Sequence, residues 1–183
     1  MTETHMPTRK KRPGVIAAFD VFYHQEGWSC AAAVGMDDYR DARPVSVYTA
    51  QRSKALPYIP GEFYRRELPC ILELLKAFPA APREIIVDGY VQLGPKPGLG
   101  QHLFMALAGC IPVIGVAKSA FRGAQGLPVL RGRSKRPLYI TAVGMDVDAA
   151  AVNIRKMHGR HRIPTLLKLV DRLAKEHAGN KRT

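Results

Sequence analysis

The chain of 183 residues has the length and composition of one ordinary globular domain, with 46% hydrophobic and 23% charged residues. This composition excludes a disordered or collagen-like chain, and because no apolar run approaches the roughly 20 residues of a membrane helix, we expect a soluble, cytoplasmic protein with no membrane partner. The net charge of +13, from 28 Lys and Arg against 15 Asp and Glu, favours a polyanionic partner, and nucleic acid is the first candidate.

The first half of the chain predicts a meander of strands followed by a helix. A basic tail is predicted over 1–13, and apolar runs predict strands over 15–21, 28–36 and 44–48. Apolar residues then recur at helical spacing, which predicts an amphipathic helix over 61–78.

The second half predicts an alternation of strands and helices. Strands are expected at 84–87, 112–117, 127–130 and 138–142, a Gly/Pro-rich loop through Gly100, helices at 101–108, 146–157 and 164–176, and a basic tail at 179–183. The pattern predicts a single α/β domain over 14–178. Its mixed sheet combines an antiparallel three-strand meander with parallel strands and has helices on both faces, which is the ribonuclease H-like layout.

The cysteines and histidines do not indicate a zinc site. Cys30, Cys70 and Cys110 are odd in number, lack CxxC spacing and lie in apolar sequence, so we predict reduced core residues. The histidines show no HExxH pattern.

Two aspartates lie in or directly after predicted apolar strands. Asp20 lies within Ala17–Val21, and Asp88 follows Ile85–Val87. Each alone is explained as a turn residue, but in a ribonuclease H-like sheet their strands are neighbours and the carboxylates converge. Two adjacent carboxylates repel each other, and a hard divalent cation relieves that repulsion. The pair is therefore suited to metal-assisted phosphodiester hydrolysis.

Two helical acids are further candidates for this site. Glu67 is placed on the inward face of its helix by periodicity, although it could instead pair with Arg65 or Arg66 at the rim. Asp171 lies in the last helix and is either a fourth ligand or the ion-pair partner of Lys168 or Lys175.

The loop before the first helix has the composition of a base-separating wedge. Pro57 and Pro60 stiffen a segment that presents Tyr58 and Ile59, although these residues could simply pack onto the following helix. Glycines allow main-chain N–H groups to approach a flipped base, which nominates four glycines that turn chemistry also explains. They are Gly61, Gly89, Gly98 and Gly115.

An ordered series of motifs from Val15 to Asp171 resembles the endonuclease V family. The matching segments are Phe19-Asp20-Val21, Pro57–Gly61 with Arg66-Glu67, Val87-Asp88-Gly89, Gly98-Leu99 with His102-Leu103, Ile114–Ser119 and Pro137–Ile140. The resemblance implies a ribonuclease H-like enzyme that uses Mg²⁺, with Mn²⁺ as a possible substitute. Such an enzyme cuts DNA or RNA on the 3′ side of a deaminated base, typically inosine, and leaves 3′-hydroxyl and 5′-phosphate ends in DNA repair or RNA turnover.

The resemblance also implies roles for individual residues. Asp20, Glu67, Asp88 and Asp171 correspond to metal-binding carboxylates and Lys118 to the active-site lysine. The segment from Pro57 to Gly61 corresponds to the strand-separating wedge, and Ser119 belongs with the glycines to the substrate site. No obligate protein partner is predicted.

The chain departs from the family pattern after the second aspartate. The stretch from Asp88 to Gly94 lacks a second early glycine and a histidine, and Met145 stands where a Gly-His pair is common. Two alternatives therefore stay open: a non-catalytic nucleic-acid-binding protein on the same fold, and a metal nuclease of altered specificity. The loop from Tyr90 to Gly94 would distinguish the second.

Overall fold

Three antiparallel strands form one side of the sheet. The computed structural model describes residues 14–23, 27–52, 59 and 62–176. Both predicted tails, 1–13 and 179–183, therefore lie outside the described residues. β1 (Ile16–Tyr23), β2 (Ser29–Met36) and β3 (Ser46–Arg52) pair in chain order, which confirms the predicted meander. The third strand continues past Tyr48 because its ladder with β2 extends through polar residues that give no apolar signal.

The remaining elements follow the predicted alternation. They are α1 (Tyr64–Leu75), β4 (Glu84–Asp88), β5 (Gln92–Leu93), β6 (Lys96–Pro97), α2 (Leu99–Ala106), β7 (Val113–Ala117), β8 (Leu127–Val129), β9 (Leu138–Val143), α3 (Val147–Lys156) and α4 (Thr165–Glu176). Seven strands of the described chain form one sheet in the order β3-β2-β1-β4-β7-β9-β8. β4 is parallel to both β1 and β7, whereas β9 runs antiparallel to β7 and β8.

Each face of the sheet has its own hydrophobic core and helical layer. Even-numbered residues of β1, such as Ile16 and Ala18, pack with α3 and α4, whereas odd-numbered residues, such as Ala17 and Phe19, pack with α1. This alternation follows from the two-residue period of a strand, whose successive side chains point to opposite faces. The predicted ribonuclease H-like architecture, a mixed sheet with helices on both faces, is confirmed.

Two local expectations are wrong. The loop predicted to reach Gly100 contains the β5–β6 hairpin, and α2 begins at Leu99 rather than at residue 101. Cys30 and Cys70 are buried and unoxidised, but Cys110 is exposed, because it lies in the turn between α2 and β7 rather than in an element that faces a core. Within the described ranges, every helix is too short or too polar to cross a bilayer.

Candidate functional site

Asp20, inside β1, and Asp88, the last residue of β4, are neighbours at the centre of the sheet. β1 and β4 pair in parallel with Phe19 opposite Val87, so the next residues in register are Asp20 and Asp88. Both side chains lie on the face that α4 covers, since Ala18 and Ile86 two residues earlier belong to that core. The convergence predicted from sequence is therefore present in the fold.

Lys118 supplies the positive charge at this point. It follows β7, which is parallel to β4 with Val116 opposite Asp88. Its Nζ atom lies 2.6 Å from Asp88 Oδ2 and 3.6 Å from Asp171 Oδ1. Partial burial lowers the pKa of Lys118, but the hydrogen bond with Asp88 and the nearby carboxylates outweigh that effect and raise it overall. The side chain is therefore cationic at neutral pH.

Asp20 is electrostatically the most perturbed strand residue of the site. Burial, followed by the charges of Asp88 and Asp171, raises the pKa of Asp20 to about 7 from its ordinary value of 3.8. Lys118 and the hydrogen bond that the Val21 N–H donates to Asp20 Oδ1, at 2.9 Å, act in the opposite direction. The lysine does not fully compensate the negative charge gathered here.

Glu67 reaches the same electrostatic cluster from α1, in the opposite helical layer. It is buried, with 7% exposure, and burial followed by the charges of Asp20 and Asp88 raises its pKa well above 4.5. The alternative of an ion pair at the helix rim is not what forms. Arg65 pairs with Glu62, and the guanidinium of Arg66 lies over the Tyr23 ring, 3.8 Å from its centroid. The inward orientation predicted for Glu67 is confirmed.

Asp171 forms the helical ion pair with Lys175 that was one of its two predicted roles, and it also faces the central site. Lys175, one turn later in α4, donates to Asp171 Oδ2 at 2.7 Å, while Asp171 Oδ1 faces Lys118. Burial raises the pKa of Asp171, but the two lysines outweigh burial and lower it overall. It is therefore an ionised carboxylate shared between a helical ion pair and the central site.

A cavity of about 350 Å³ opens beside these groups. Asp20, Asp88, Lys118 and Asp171 line it together with apolar residues of the sheet and of α4 and with the basic residues His161, Arg162 and Lys168. A polyanion at its mouth would meet cations from two directions, the end of β7 and the segment that precedes α4. The cavity thus combines a carboxylate cluster with basic side chains.

The carboxylates fit a hard divalent cation by charge and by donor type. Burial and then neighbouring carboxylates raise the pKa of both Asp20 and Glu67, so a cation of higher charge than Lys118 would stabilise their ionised forms. Carboxylate oxygens are the preferred ligands of Mg²⁺. In the part of the chain that the structure describes, however, no group of three or more His, Cys, Asp or Glu side chains is arranged to hold a metal ion.

The predicted substrate residues are only partly within the described chain. Pro57, Tyr58, Pro60 and Gly61 lie outside it, whereas Ile59 is described and is 44% exposed.

The other predicted substrate residues lie around the end of β4 and β7. Gly115 is tightly enclosed, since a Cβ there would lie 2.6 Å from Gly89 O, and a Cβ at Gly98 would overlap the Tyr90 carbonyl. Gly89 itself has a φ of +122°, which favours glycine. Ser119 is exposed beside Lys118. The structure brings these residues near Asp88 but does not assign them a ligand.

Sequence reasoning missed two residues that organise the site. The Tyr90 hydroxyl donates to Ser119 O at 2.9 Å and accepts from the Phe121 N–H at 3.2 Å, which anchors the segment after Lys118. Arg162 donates to the carbonyls of Lys118 and Pro137. The position of Tyr90 directly after Asp88-Gly89 was an available signal, whereas no local pattern distinguishes Arg162 from its basic neighbours.

Comparison with known proteins places this geometry in a family. The Endonuclease V family model matches residues 2–148. Endonuclease V of Streptomyces avermitilis is 31% identical in an alignment that covers 88% of this chain and 80% of the relative.

Solved structures agree with this match. The crystal structure of the Streptomyces avermitilis protein has a TM-score of 0.73 at 28% identity, over 91% of this chain and 82% of that one. Ciona intestinalis Endonuclease V, in complex with a 24mer DNA containing an inosine followed by a ribo-adenosine, shares the fold with a TM-score of 0.76 at 19% identity, over 92% and 87% of the two chains. The chain belongs to the endonuclease V family and is accordingly a nuclease.

Proposed function

We propose that this protein is a Mg²⁺-dependent endonuclease that hydrolyses a phosphodiester bond on the 3′ side of a deaminated base in DNA or RNA. The products carry 3′-hydroxyl and 5′-phosphate ends. The observation that carries the proposal is the convergence of Asp20, Asp88 and Lys118 at one point of the central sheet. Membership of the endonuclease V family and the inosine-containing DNA bound by the Ciona relative support the substrate class.

In this proposal the carboxylates hold the metal and the lysine faces the phosphate. Asp20 and Asp88 bind Mg²⁺, and Glu67 and Asp171 complete its surroundings directly or through water. Bound Mg²⁺ polarises the phosphoryl oxygen and lowers the pKa of the attacking water. Mn²⁺, which also accepts oxygen ligands, is expected to substitute.

Lys118 has two successive partners in this proposal. Without substrate it pairs with Asp88, and both side chains are substantially exposed, at 45% and 39%. Such an exposed pair contributes only about 0–1 kcal/mol, so the ammonium group can turn toward a phosphate at little cost. There it offsets the negative charge that develops during hydrolysis. Tyr90 and Arg162 position the chain around Lys118 through Ser119, Phe121 and the Lys118 carbonyl.

Base selection is assigned to the predicted wedge and to the glycine-lined loops. Tyr58 parts the stacked bases, and main-chain groups near Gly89, Gly98 and Gly115 approach the edge of the flipped base. The tight enclosure of Gly115 against Gly89 fixes the loop after Asp88, because any side chain there would displace that loop. Tyr58→Ala is expected to lower the preference for inosine over an undamaged base.

A second candidate is a nucleic-acid-binding protein on the same fold that does not cut, or that cuts a different structure. Two observations favour it. The described carboxylates form no three-residue group arranged for a metal ion, and Tyr90 occupies the loop in which family members commonly have a glycine and a histidine. Retention of all four acids favours catalysis.

Cleavage of end-labelled DNA and RNA oligonucleotides with a single inosine tests the proposal. We expect a cut on the 3′ side of the inosine with Mg²⁺ and none with EDTA. Asp88→Asn should abolish cutting while retaining or improving binding, because it removes a metal ligand and a negative charge near phosphate. Asp148→Asn, an exposed acid at the start of α3, is the matched control. Binding without metal-dependent cleavage would favour the second candidate, and wild-type cleavage by Asp88→Asn would overturn the metal-site assignment.

A further inference from the structure

Two basic segments lie next to each other beside the site. Residues 131–136 lie between β8 and β9, and residues 155–162 comprise the last two residues of α3 and the start of its connection to α4; together we call them the basic platform. The two segments contain eight Lys and Arg and no Asp or Glu. The side chains of Arg133, Lys135, Arg136, Arg155 and Arg160 are exposed.

Arg131 ties the two segments together from within. It is only 4% exposed, and its guanidinium donates to main-chain carbonyls of the second segment. These acceptors are Arg155 O at 3.4 Å, Met157 O, Gly159 O at 3.2 Å, His161 O at 2.9 Å and Arg162 O at 3.2 Å. Burial lowers the pKa of Arg131. Carbonyl acceptors satisfy its donors without adding negative charge, so the platform stays cationic.

The backbones of the two segments also touch directly. Gly132 has a φ of +58°, and a Cβ at that position would lie 2.1 Å from Arg160 O. Only glycine allows this approach. The exposed cations of both segments therefore extend from a fixed contact between the two backbone segments.

The platform is continuous with the proposed catalytic centre. Arg162, its last residue, donates to the carbonyl of Lys118 and, at 2.8 Å, to that of Pro137. His161 and Arg162 line the cavity that also contains Asp20 and Asp88. The 131–136 turn lies at the same end of the sheet, because Val129 pairs with Leu138, and Ala117, next to Lys118, pairs with Tyr139.

We propose that the basic platform binds the sugar-phosphate backbone of the nucleic acid beside the bond that is cut. A group of exposed cations on two segments that contain no Asp or Glu is complementary to consecutive phosphates, whose neutralisation releases counterions. The link through Arg162 to Lys118 makes the platform an extension of the site for the reacting phosphate. The choice of nucleic acid rests on the proposed function. Arg131 is in this scheme a positioning residue, since it touches only protein groups in the structure.

The salt dependence of binding tests the platform independently of cleavage. The probe is a fluorescent DNA duplex without inosine, in EDTA, with the dissociation constant measured at increasing NaCl. Each phosphate contact contributes a slope of about 0.9 in the logarithm of affinity against the logarithm of salt concentration. We expect Arg133→Glu and Arg136→Glu each to weaken binding several-fold. Each should also reduce the slope by about 0.9, the contribution of one phosphate contact.

Lys76→Glu is the matched control because it makes the same change in net charge. Lys76 is exposed and caps the far end of α1, on the opposite face of the sheet. We expect it to keep the wild-type slope. Equal slopes for Arg133→Glu, Arg136→Glu and Lys76→Glu would overturn the proposal, because general electrostatic attraction would then account for binding.

Arg131→Lys provides a second measurement that keeps all the exposed charges. If Arg131 positions the platform, this variant should bind the duplex more weakly and show faster amide exchange over 155–162, while the amide exchange of the central strands stays as in the wild type. Unchanged binding together with faster exchange would overturn the positioning role. Because no measurement in this series depends on metal or inosine, failure of cleavage alone would count against the proposed function and leave the platform result standing.

Discussion

Lys118 Nζ and Asp88 Oδ2 lie 2.6 Å apart, so a carboxylate that is predicted to bind the metal already contacts a lysine. The lysine follows β7 and the aspartate ends β4, and the parallel pairing of these strands creates the contact. A divalent cation on Asp88 would compete with this contact. The pair therefore links metal binding to the availability of Lys118 for a phosphate.

Lys118→Met should separate metal binding from catalysis. Because the variant removes the competing cation but keeps the carboxylates, we expect Mg²⁺ affinity, measured by calorimetry, to be equal or higher, and the cleavage rate to fall by about 10²–10³-fold. Lys175→Met is the comparison, since it removes a lysine that contacts the other oxygen of Asp171. We expect a smaller fall there. Wild-type cleavage by Lys118→Met would contradict a catalytic role for this residue.

Mg²⁺ should stabilise the folded protein through Asp20 and Asp88. A ligand that binds only the folded state at about 100 times its dissociation constant adds about 2.7 kcal/mol to the free energy of unfolding. We expect thermal unfolding to shift upward with Mg²⁺ and the shift to be reversed by EDTA. Asp20→Asn and Asp88→Asn should lose most of the shift, and Asp148→Asn should keep it. A full shift in Asp88→Asn would place the metal elsewhere.

Asp20 should make the metal-free protein less stable as the pH rises. Its pKa is about 7 in the folded protein and 3.8 ordinarily, so between these values the unfolded chain has released a proton that the folded chain retains. Stability then falls with rising pH across this window and levels off above pH 7. Asp20→Asn removes this pH dependence. In EDTA, the free energy of unfolding of the variant relative to wild type should therefore rise by on the order of 2 kcal/mol from pH 5 to pH 8. Urea unfolding of both proteins at the two pH values measures this change. If the difference in free energy of unfolding between variant and wild type is the same at pH 5 and pH 8, the prediction is refuted.

Tyr90→Phe should loosen the segment after Lys118. The variant loses the hydrogen bonds to Ser119 O and from the Phe121 N–H, which together stabilise by about 1–2 kcal/mol. We expect a corresponding drop in the free energy of unfolding and a several-fold lower kcat for cleavage. Tyr48→Phe, on the edge strand β3, is the control. If both variants behave alike, the Tyr90 hydroxyl does not support the site.

The strand and helix signals were reliable where a local pattern coincided with burial. The apolar run that contains Asp20 forms β1, and the run that precedes Asp88 forms β4. Glu67 is buried, as its helical periodicity predicted. The β5–β6 hairpin was missed because its two-residue strands are too short to show a period. Cys110 was placed in the core because its neighbours are apolar, but exposure there depends on how the turn between α2 and β7 runs over the surface.

The sequence by itself determined the family, the order of the seven strands of the main sheet and of the four helices, and the acids and lysine that are candidates for the site, because each of these depends on residue type and local spacing. Only the tertiary structure decided that Lys118 pairs with Asp88, that Arg131 joins two basic segments and that Arg162 connects them to the site. These contacts join residues that are distant in the chain. Their formation depends on strand register and on where a buried guanidinium finds carbonyl acceptors, and no local pattern encodes either.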